Sequence, residues 1–348
     1  MTRPGQARLA DVAKLAGVGT SITSRVLNDD PTVSIRPETR ERILAAAREL
    51  DYRPNMLARG LRLARTMTLG LIVNLNYYHE YDEIIVATER AAAAAGYVTV
   101  MVDANDFVAR GEAYHRLLFE RRVDGLLVAS SLVTDTVVRD LRAAGLPFVL
   151  VNRRLRGTGP SVSTDDAAGV ALAVQHLIEL GHRRIGYLPG PMYADVVRRR
   201  LAGFRQGLRA AGLDARASDV VESSIEEESV VRATTRLLSR VDRPTAFVVW
   251  SPTAAIPALA AVRRLGLRVP VDVSVVSYSD TRIAEYLDPP LATVRMPAIE
   301  MADTAVQVLL QLVDGGDPGN VIVRTRPELI ERGSTAPPPG LVVERYST

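Results

Sequence analysis

The 348-residue chain contains no cysteine, one tryptophan and one lysine, Lys14, among its 43 basic residues. The absence of cysteine excludes disulfides, thiolate metal ligands and thiol nucleophiles, and it fits a reducing compartment. The four histidines have no metal-ligand spacing, and no apolar run is long enough to span a membrane. The first residues lack the apolar core of a signal peptide, so we expect a cytoplasmic protein with no membrane partner.

Sequence motifs of common enzymes are also absent. The chain has no Gly-rich phosphate-binding motif, no G-x-S-x-G and no cluster of histidines and carboxylates at metal spacing. Asp165 and Asp166 form a carboxylate pair, but they lie where a helix is predicted to begin, and negative charge is favourable there. The sequence therefore predicts a binding protein that needs neither a cofactor nor a metal, and not an enzyme.

Positive charge is concentrated near the beginning of the chain. Residues 1–65 contain 12 Lys and Arg against 7 Asp and Glu, whereas the remainder contains 31 against 33. The first segment is therefore basic and the remainder slightly acidic, as expected if the first segment binds the phosphates of a nucleic acid.

Residues 9–28 contain two short helical patterns, 9–15 and 20–27, that meet at Gly17. Glycine can adopt the positive φ of so tight a turn. Small and apolar residues recur at three- and four-residue spacings that place them on facing surfaces: Val12, Ala13, Ala16, Val18, Thr23 and Val26. The second helix then exposes Thr20, Ser21 and Arg25, which predicts a helix-turn-helix suited to a DNA major groove. An ordinary helix hairpin with a solvated arginine is the alternative.

Residues 37–50 predict a third helix with one buried face, which completes a headpiece over residues 1–53. A basic segment at 54–66 follows and contains a helical pattern, NMLARGLR, too short to be stable alone in water. One interpretation is a flexible linker. The other is a hinge that folds against DNA and inserts Leu61 between base steps of the minor groove.

Apolar strand patterns alternate with helical patterns from residue 68 onward. We predict strands at 68–73, 97–103, 124–129, 147–151, 184–188, 219–222, 245–250, 273–278 and 321–325. The predicted helices are 82–95, 109–121, 134–144, 166–180, 194–211, 226–239, 254–265 and 298–313. This alternation predicts two doubly wound parallel sheets with a ligand cleft at the carboxyl ends of their strands.

The predicted α/β domain spans residues 67–335 and has two lobes. The first lobe is expected over about 67–163 and 293–318, and the second over about 164–292 and 319–335. A Pro-rich tail follows at 336–348. We expect so short a tail to favour a dimer over a tetramer.

Several segments, in this order and spacing, resemble the lactose repressor family (LacI/GalR-type) of bacterial transcriptional regulators: DVAKLAGV, SRVLN, ETRERILAAARELDYRPN, HLIELGHRRIGYL, RRRLAGFRQGL, GLRVPVDVSVVSYSD and YLDPPLATVRMP. The resemblance covers nearly the whole chain. It implies an all-α helix-turn-helix headpiece followed by a bilobal effector domain like the periplasmic binding proteins. It also implies a homodimeric repressor of a palindromic operator, controlled allosterically by a small molecule in the cleft, by family default a sugar.

Positions that match the family carry expected DNA contacts. These are Thr20, Ser21 and Arg25 in the second helix and Asn55, Ala58, Leu61 and Arg62 in the hinge. Two departures affect the second helix. Gly19 replaces the usual Ser, so a capping oxygen is lost. Thr23 places a hydroxyl at a buried position, where it can bond to the preceding turn.

The expected effector cleft departs further from the family. Arg200 matches the ligand-binding arginine, but Ser251 and Ser279 replace an Asn and an Asp, so we expect no carboxylate or amide to hold sugar hydroxyls there. Aromatic residues cluster at the cleft edge instead, and polar residues follow the strands nearby. The expected effector-binding set is Tyr77, Tyr78, His79, Tyr81, Ser130, Asn152, Arg200, Ser251 and Ser279, with Arg153 beside it.

The aromatic cluster has two interpretations: it holds a ligand by stacking and phenol hydrogen bonds, or it packs beneath a lobe. Two alternatives to a ligand-controlled repressor follow. The chain could be a regulator of the same fold with a lost or altered effector response. A solute-binding protein shares the bilobal architecture, but it would need a signal peptide and no headpiece.

Overall fold

The computed structural model describes residues 7–28, 30, 32–52, 65–75, 80–105, 122–130, 133, 135–155 and 157–340. The chain divides into two compact units, Met1–Thr66 and Met67–Thr348. The hinge residues Asn55, Ala58, Leu61 and Arg62, the cleft residues Tyr77, Tyr78 and His79, and the helix predicted at 109–121 lie outside the described residues.

The first unit contains the three predicted helices, α1 (Leu9–Ala16), α2 (Thr20–Leu27) and α3 (Pro37–Glu49). Pro37 occupies the first turn of α3, where a missing N–H is tolerated. Val12, Val26 and Ile43, one from each helix, are fully buried and form the centre of the core. All three helix predictions are confirmed.

The second unit contains seven helices and eleven strands among its described residues. The strands are β1 (Thr68–Val73), β2 (Val98–Asp103), β3 (Gly125–Val128), β4 (Phe148–Val151), β5 (Ser161–Ser163), β6 (Ile185–Leu188), β7 (Ala246–Val249), β8 (Ser274–Tyr278), β9 (Ala292–Arg295), β10 (Val321–Ile322) and β11 (Glu328–Ile330). The helices are α4 (Asp82–Ala94), α5 (Asp135–Ala143), α6 (Asp166–Glu179), α7 (Asp195–Ala210), α8 (Glu227–Leu238), α9 (Pro252–Arg264) and α10 (Ala298–Val313). Short 3-10 turns lie at Ala217–Asp219 and Arg282–Tyr286.

The strands form two sheets with helices packed on them. The first sheet has the order β10-β5-β4-β3-β1-β2 and is parallel throughout. The second has the order β11-β9-β8-β7-β6, in which only β11 runs antiparallel. Their central strands are buried on both faces, because helices cover each side. The predicted fold of two doubly wound sheets is confirmed.

Three strands were missed, and one predicted strand is corrected. Strands β5, β9 and β11 were not predicted, since three or four residues with little apolar alternation give almost no signal. The strand predicted at 219–222 is a single bridge between Tyr187 and Val220. The preceding Asp219 is drawn into an ion pair with Arg184 at 2.9 Å, which ends extended pairing there.

Two strands lie in a different lobe from the one expected. Strand β9 belongs to the second sheet, and β10 belongs to the first, where Val321 pairs with Val162. The chain therefore crosses between the sheets after β5, again after β9 and again after β10. The first two crossings follow β5 and β9, which were too short to predict, and the third follows β10, which was predicted but assigned to the other lobe.

Candidate functional site

One face of α2 is exposed and polar. Thr20, Ser21 and Arg25 lie on this face, whereas Thr23 and Val26 are buried. An exposed helix face with two hydroxyls and an arginine has the hydrogen-bonding chemistry that reads base edges in a major groove. The structure thus leaves the three predicted DNA-reading side chains accessible, and their contacts with DNA stay a prediction.

The turn before α2 accommodates both departures from the family pattern. Gly17 has a φ of 66°, in the left-handed region that glycine tolerates. Gly19 is the N-cap and supplies no side-chain cap, as predicted. Thr23 Oγ1 donates to the Gly19 carbonyl at 3.0 Å, so its buried hydroxyl is satisfied within its own helix, also as predicted.

Arg25 is held in place by the loop that follows α2. Its Nε donates to Asp30 Oδ2 at 2.9 Å, and its second guanidinium nitrogen donates to Thr32 Oγ1 at 2.6 Å. Hydrogen bonds from Thr32 and then from Arg25 lower the pKa of Asp30 to about 2. A guanidinium has about five N–H donors. Arg25 is therefore oriented here and still has donors to offer a base or a phosphate.

A cavity in the second unit lies where the carboxyl ends of strands from both sheets meet. Residues that follow the strands line it, among them Asn74, Ser130, Asn152, Pro191, Trp250, Ser279 and Met296. Helices α4 and α7 add Ile84, Val197 and Arg200. Open α/β sheets bind their ligands at this edge. The cavity is therefore the candidate ligand site of this unit.

The structure brings most of the described effector residues together. Tyr81, Ser130, Asn152, Arg200 and Ser279 all line the cavity. The exception is Ser251, which is buried but is not a lining residue. Its Oγ instead accepts a hydrogen bond from the Ala254 backbone N–H at 3.1 Å and caps α9.

Two lining residues have an unusual backbone conformation. Asn152 has a φ of 52° and Ser279 a φ of 69°, both in the left-handed region that side chains other than glycine seldom adopt. Each follows a strand, β4 or β8. Local strain of this kind is typical of binding sites, where the surrounding fold must hold it in place.

Arg200 is buried and fully engaged. Its Nε lies 3.0 Å from Asp166 Oδ1, and its guanidinium carbon lies 3.9 Å from the centre of the Tyr278 ring. Burial is the largest single influence on the pKa of Arg200 and acts to lower it, but the charge of Asp166, the phenols of Tyr278 and Tyr187 and the hydrogen bond to Asp166 together raise it. The cavity therefore contains a permanent cation whose charge is already matched by a carboxylate.

The roles of the two adjacent aspartates differ from the prediction. Asp165 does cap α6, accepting from the Ala168 backbone N–H at 3.0 Å. Asp166, in contrast, has a completely buried side chain that pairs with Arg199 at 2.7 Å as well as with Arg200. Helix capping alone therefore explains Asp165 and not Asp166.

Another ion-paired group connects the segment after β4 to α7. Asp195 Oδ2 accepts from the Arg154 backbone N–H at 2.9 Å and forms an ion pair with Arg199. The Asn152 carbonyl also accepts from Arg199, at 3.4 Å. These contacts join the first-sheet and second-sheet sides of the cavity.

Glu80 is a lining residue that the sequence pattern did not predict. Burial raises the pKa of its carboxyl group, while hydrogen bonds from Ser251 and Thr253 favour the charged form. Its Oε1 is buried and has no hydrogen-bond partner in the described part of the chain. Positions 251 and 279 thus supply no carboxylate or amide, as expected, but Glu80 and Asn74 bring a carboxyl and an amide to the cavity from other positions.

The described aromatic residues of the cavity are Tyr81, Tyr193 and Trp250. Tyr81 also packs against the core of the first sheet, and burial raises the pKa of its phenol. Tyr81 therefore packs beneath a lobe and also lines the cavity, and its contact with a ligand stays a prediction. Trp250 directly follows β7, and its position at a predicted strand end was the signal that could have identified it.

The described residues offer neither a metal centre nor a membrane span. Within these ranges no group of three or more His, Cys, Asp or Glu side chains is arranged to hold a metal ion. None of the helices described is long and apolar enough to cross a membrane.

Family models match both units. Residues 8–55 match the model described as bacterial regulatory proteins, lacI family. Residues 174–335 match the model of a periplasmic binding protein-like domain. The first match contains the helix-turn-helix, and the second contains Arg200 and the second-sheet side of the cavity.

Curated relatives and solved structures align along nearly the whole chain. The HTH-type transcriptional repressor PurR of Erwinia tasmaniensis is 35% identical over 336 residues, 96% of this chain and 98% of the relative. A lac repressor dimer bound to operator and the anti-inducer ONPF is 30% identical with a TM-score of 0.76, covering 95% of this chain and 99% of that one. A complex of the transcriptional regulator CelR with cellobiose is 32% identical with a TM-score of 0.72, covering 94% and 99%.

Proposed function

Because the chain belongs to the lacI family of bacterial regulatory proteins, we propose that it is a cytoplasmic transcriptional repressor controlled by a small molecule. It binds a palindromic operator as a homodimer, and an effector in the cavity changes its affinity for that operator. It has no catalytic role in this scheme. The curated relatives are transcriptional repressors, which supports the regulatory class.

The DNA-binding half of the proposal is carried by the exposed face of α2. Thr20, Ser21 and Arg25 are accessible there, on a helix packed against α1 and α3. Arg25 donates in pairs to guanine, and the hydroxyls adapt to several bases. The basic residues of this segment add the phosphate contacts that any operator complex needs.

The ligand-control half is supported by the cavity between the two sheets. Residues from both sides line it, so a ligand there touches both and favours one arrangement of the two sheets over another. Glu80 Oε1, Asn152 Oδ1 and Trp250 Nε1 belong to lining residues and have no hydrogen-bond partner in the described part of the chain, which favours a ligand-responsive regulator over one that has lost its effector.

The homodimer and the palindromic operator follow from symmetry. One helix-turn-helix reads only a few base pairs, and two related by a two-fold axis read a palindrome. The likeness to a lac repressor dimer bound to operator supports this part of the proposal.

Selection of bound fragments from a random DNA pool by the full chain tests the proposal. We expect enrichment of a palindrome, and Arg25→Ala should weaken binding to it by about tenfold or more, the value of one base-reading arginine. Arg48→Ala is a matched control, since Arg48 is an exposed arginine of α3 paired with Glu41 and loses the same charge.

The outcomes separate the parts of the proposal. No enriched sequence contradicts a DNA-binding regulator and favours a solute-binding protein. An enriched sequence without two-fold symmetry contradicts the homodimer. If Arg25→Ala and Arg48→Ala weaken specific and scrambled DNA equally, the assignment of Arg25 to base reading is wrong.

A further inference from the structure

Glu80 places a carboxylate in the cavity from the segment just before α4. Its Oε1 is buried, and no described residue donates a hydrogen bond to that atom. Burial disfavours the charged form of Glu80 and raises its pKa, whereas the hydroxyls of Ser251 and Thr253, at the beginning of α9, and the charge of Arg200 favour the charged form. A helix N-terminus also favours an anion. Glu80 thus has one buried oxygen that accepts no hydrogen bond from the described residues.

The other charged groups around Glu80 are compensated. Arg200, the nearby cation, is paired with Asp166 at 3.0 Å. Asp195 is paired with Arg199. No cation of the described residues forms an ion pair with Glu80. Arg153, the other cation that lines the cavity, donates to the backbone carbonyls of Ser130 and Val133, and the charge of Arg200 acts on Glu80 without forming an ion pair with it.

Two further lining atoms are buried without a partner among the described residues. They are Asn152 Oδ1, an acceptor, and Trp250 Nε1, a donor. Buried polar groups in proteins are almost always hydrogen-bonded, because an unmade bond costs free energy. Two acceptors and one donor, all buried on residues that line one cavity, describe the complement of a ligand that has donors in excess.

We propose that Glu80 binds the effector and sets its charge class: a neutral polyol or an amine, which donates an O–H or N–H group to Oε1. An anion is disfavoured beside Glu80, because a desolvated carboxylate repels it and the two lining cations, Arg153 and Arg200, already have partners. Asn152 accepts a second donor, and Trp250 donates to an oxygen or nitrogen of the ligand. The inference rests on the proposed function, since it names the ligand of the same cavity.

A purely structural role for Glu80 makes a different prediction. If the carboxylate only joined the two sides of the cavity through Ser251 and Thr253, removing its charge would destabilise the free protein. A ligand-binding carboxylate instead lowers the stability of the free protein, because its buried oxygen receives a hydrogen bond only when ligand is bound.

The fluorescence of Trp250, the only tryptophan of the chain, reports directly on the cavity. We would titrate the full-length protein with a panel of neutral sugars, nucleobases, amino sugars, polyamines, sugar phosphates and carboxylic acids. Compounds that bind should come from the neutral and amine classes. The two classes are told apart by pH, since only an amine that loses its proton as the pH rises should then bind more weakly.

Glu80→Gln keeps the size of the side chain and removes its charge. It should weaken binding of the best neutral or amine compound by about tenfold or more, as expected for loss of a hydrogen bond to a charged group. It should also tighten the binding of sugar phosphates. Glu89→Gln, which removes an exposed carboxylate of α4, should change neither.

In the absence of ligand, Glu80→Gln should melt at or above the wild-type temperature. Three results overturn the inference: an anion as the best ligand, wild-type affinity in Glu80→Gln, or a ligand-free melting temperature lowered relative to Glu89→Gln. Failure of the whole panel to bind also overturns it. None of these results changes the outcome of the DNA selection by the full chain. That experiment tests the regulatory proposal independently of the ligand inference.

Discussion

Asp166 and Glu80 are two buried carboxylates near one cavity, and their surroundings differ in one decisive respect. Asp166 accepts from Arg199, Arg200 and the Tyr278 hydroxyl, the last at 3.2 Å. Glu80 has no ion-pair partner among the described residues, and its Oε1 accepts nothing from them. The hydrogen-bonding and charge requirements of Asp166 are met by the protein, whereas those of Glu80 are not met by the described residues.

This difference separates a structural group from a recognition group. A buried charge that is fully paired holds its neighbours in fixed positions, and removing it leaves opposite charges stranded. A buried acceptor that stays open lowers the stability of the free protein and raises affinity for whatever completes it. Asp166 thus positions Arg200 at the cavity, and Glu80 is free to select the ligand.

Asp166→Asn should destabilise the protein more than any other substitution proposed for this comparison. It leaves the buried guanidinium of Arg200 without its countercharge, although the half-buried Arg199 keeps Asp195, and breaking such a buried pair costs about 3–5 kcal/mol. Urea unfolding followed by Trp250 fluorescence measures the loss. Asp165→Asn is the control, since Asn caps helices as well as Asp and should change stability by less than about 0.5 kcal/mol. Equal stabilities of the two variants would contradict the structural role of Asp166.

Gly203→Ala should destabilise the protein by forcing apart α6 and α7, the two helices that carry Asp166 and Arg200. A Cβ there would lie 2.1 Å from the Ala167 carbonyl oxygen, so α7 must move away from α6. We expect a loss of about 2–3 kcal/mol, as for other overpacked sites. Gly207→Ala in the same helix gains the same helix propensity and meets milder contacts, the Val174 side chain at 3.0 Å and the Ala171 Cα at 3.3 Å. A loss in Gly203→Ala no greater than in Gly207→Ala would contradict this close helix crossing.

The sequence predicted the elements that carry a strong periodic signal. Helices α1 to α3 and strands such as β1 and β8 lie where the apolar spacing indicated. Short strands such as β5 and β9 were missed, because hydrogen bonds to neighbours distant in sequence define them and their own residues do not. The topological crossings depend on these same strands and were misplaced with them.

The site was predictable only where a single position carries the chemistry. Arg200 could be assigned from its motif, but its partner Asp166 was attributed to helix capping, because nothing in the sequence relates the two residues. Glu80 was overlooked since a lone glutamate before a helix is ordinary. Its significance comes from tertiary burial beside Ser251 and Thr253, which only the folded chain provides.

The stability difference between wild type and Glu80→Gln should depend on pH. Burial raises the pKa of Glu80 above its ordinary value of 4.5, so its folded form holds the proton more tightly than its unfolded form. This contribution to stability is present below pH 4.5 and is lost as pH rises through the raised pKa. The variants should therefore be equally stable near pH 4, and Glu80→Gln should become the more stable one as pH increases.

Thermal unfolding of both variants between pH 4 and pH 8, without ligand, measures this difference. Glu89→Gln controls for the change in net charge. A difference that stays constant with pH, or that favours the wild type at neutral pH, would show that Glu80 is satisfied within the protein as Asp166 is.

Thr23→Val extends the comparison to the first unit and should have the smallest effect. The Thr23 hydroxyl is buried like the two carboxylates, but it is neutral and bonds to the Gly19 carbonyl in its own helix. Valine keeps the volume, and the carbonyl keeps its bond from the Thr23 backbone N–H at 3.0 Å. Side-chain bonds to a preceding turn slightly weaken helices. We therefore expect a change of less than about 1 kcal/mol, in favour of valine. Hydrogen exchange of the α2 amides measures it, because Trp250 lies in the other unit, and a larger loss would mean that the hydroxyl has a partner beyond its own helix.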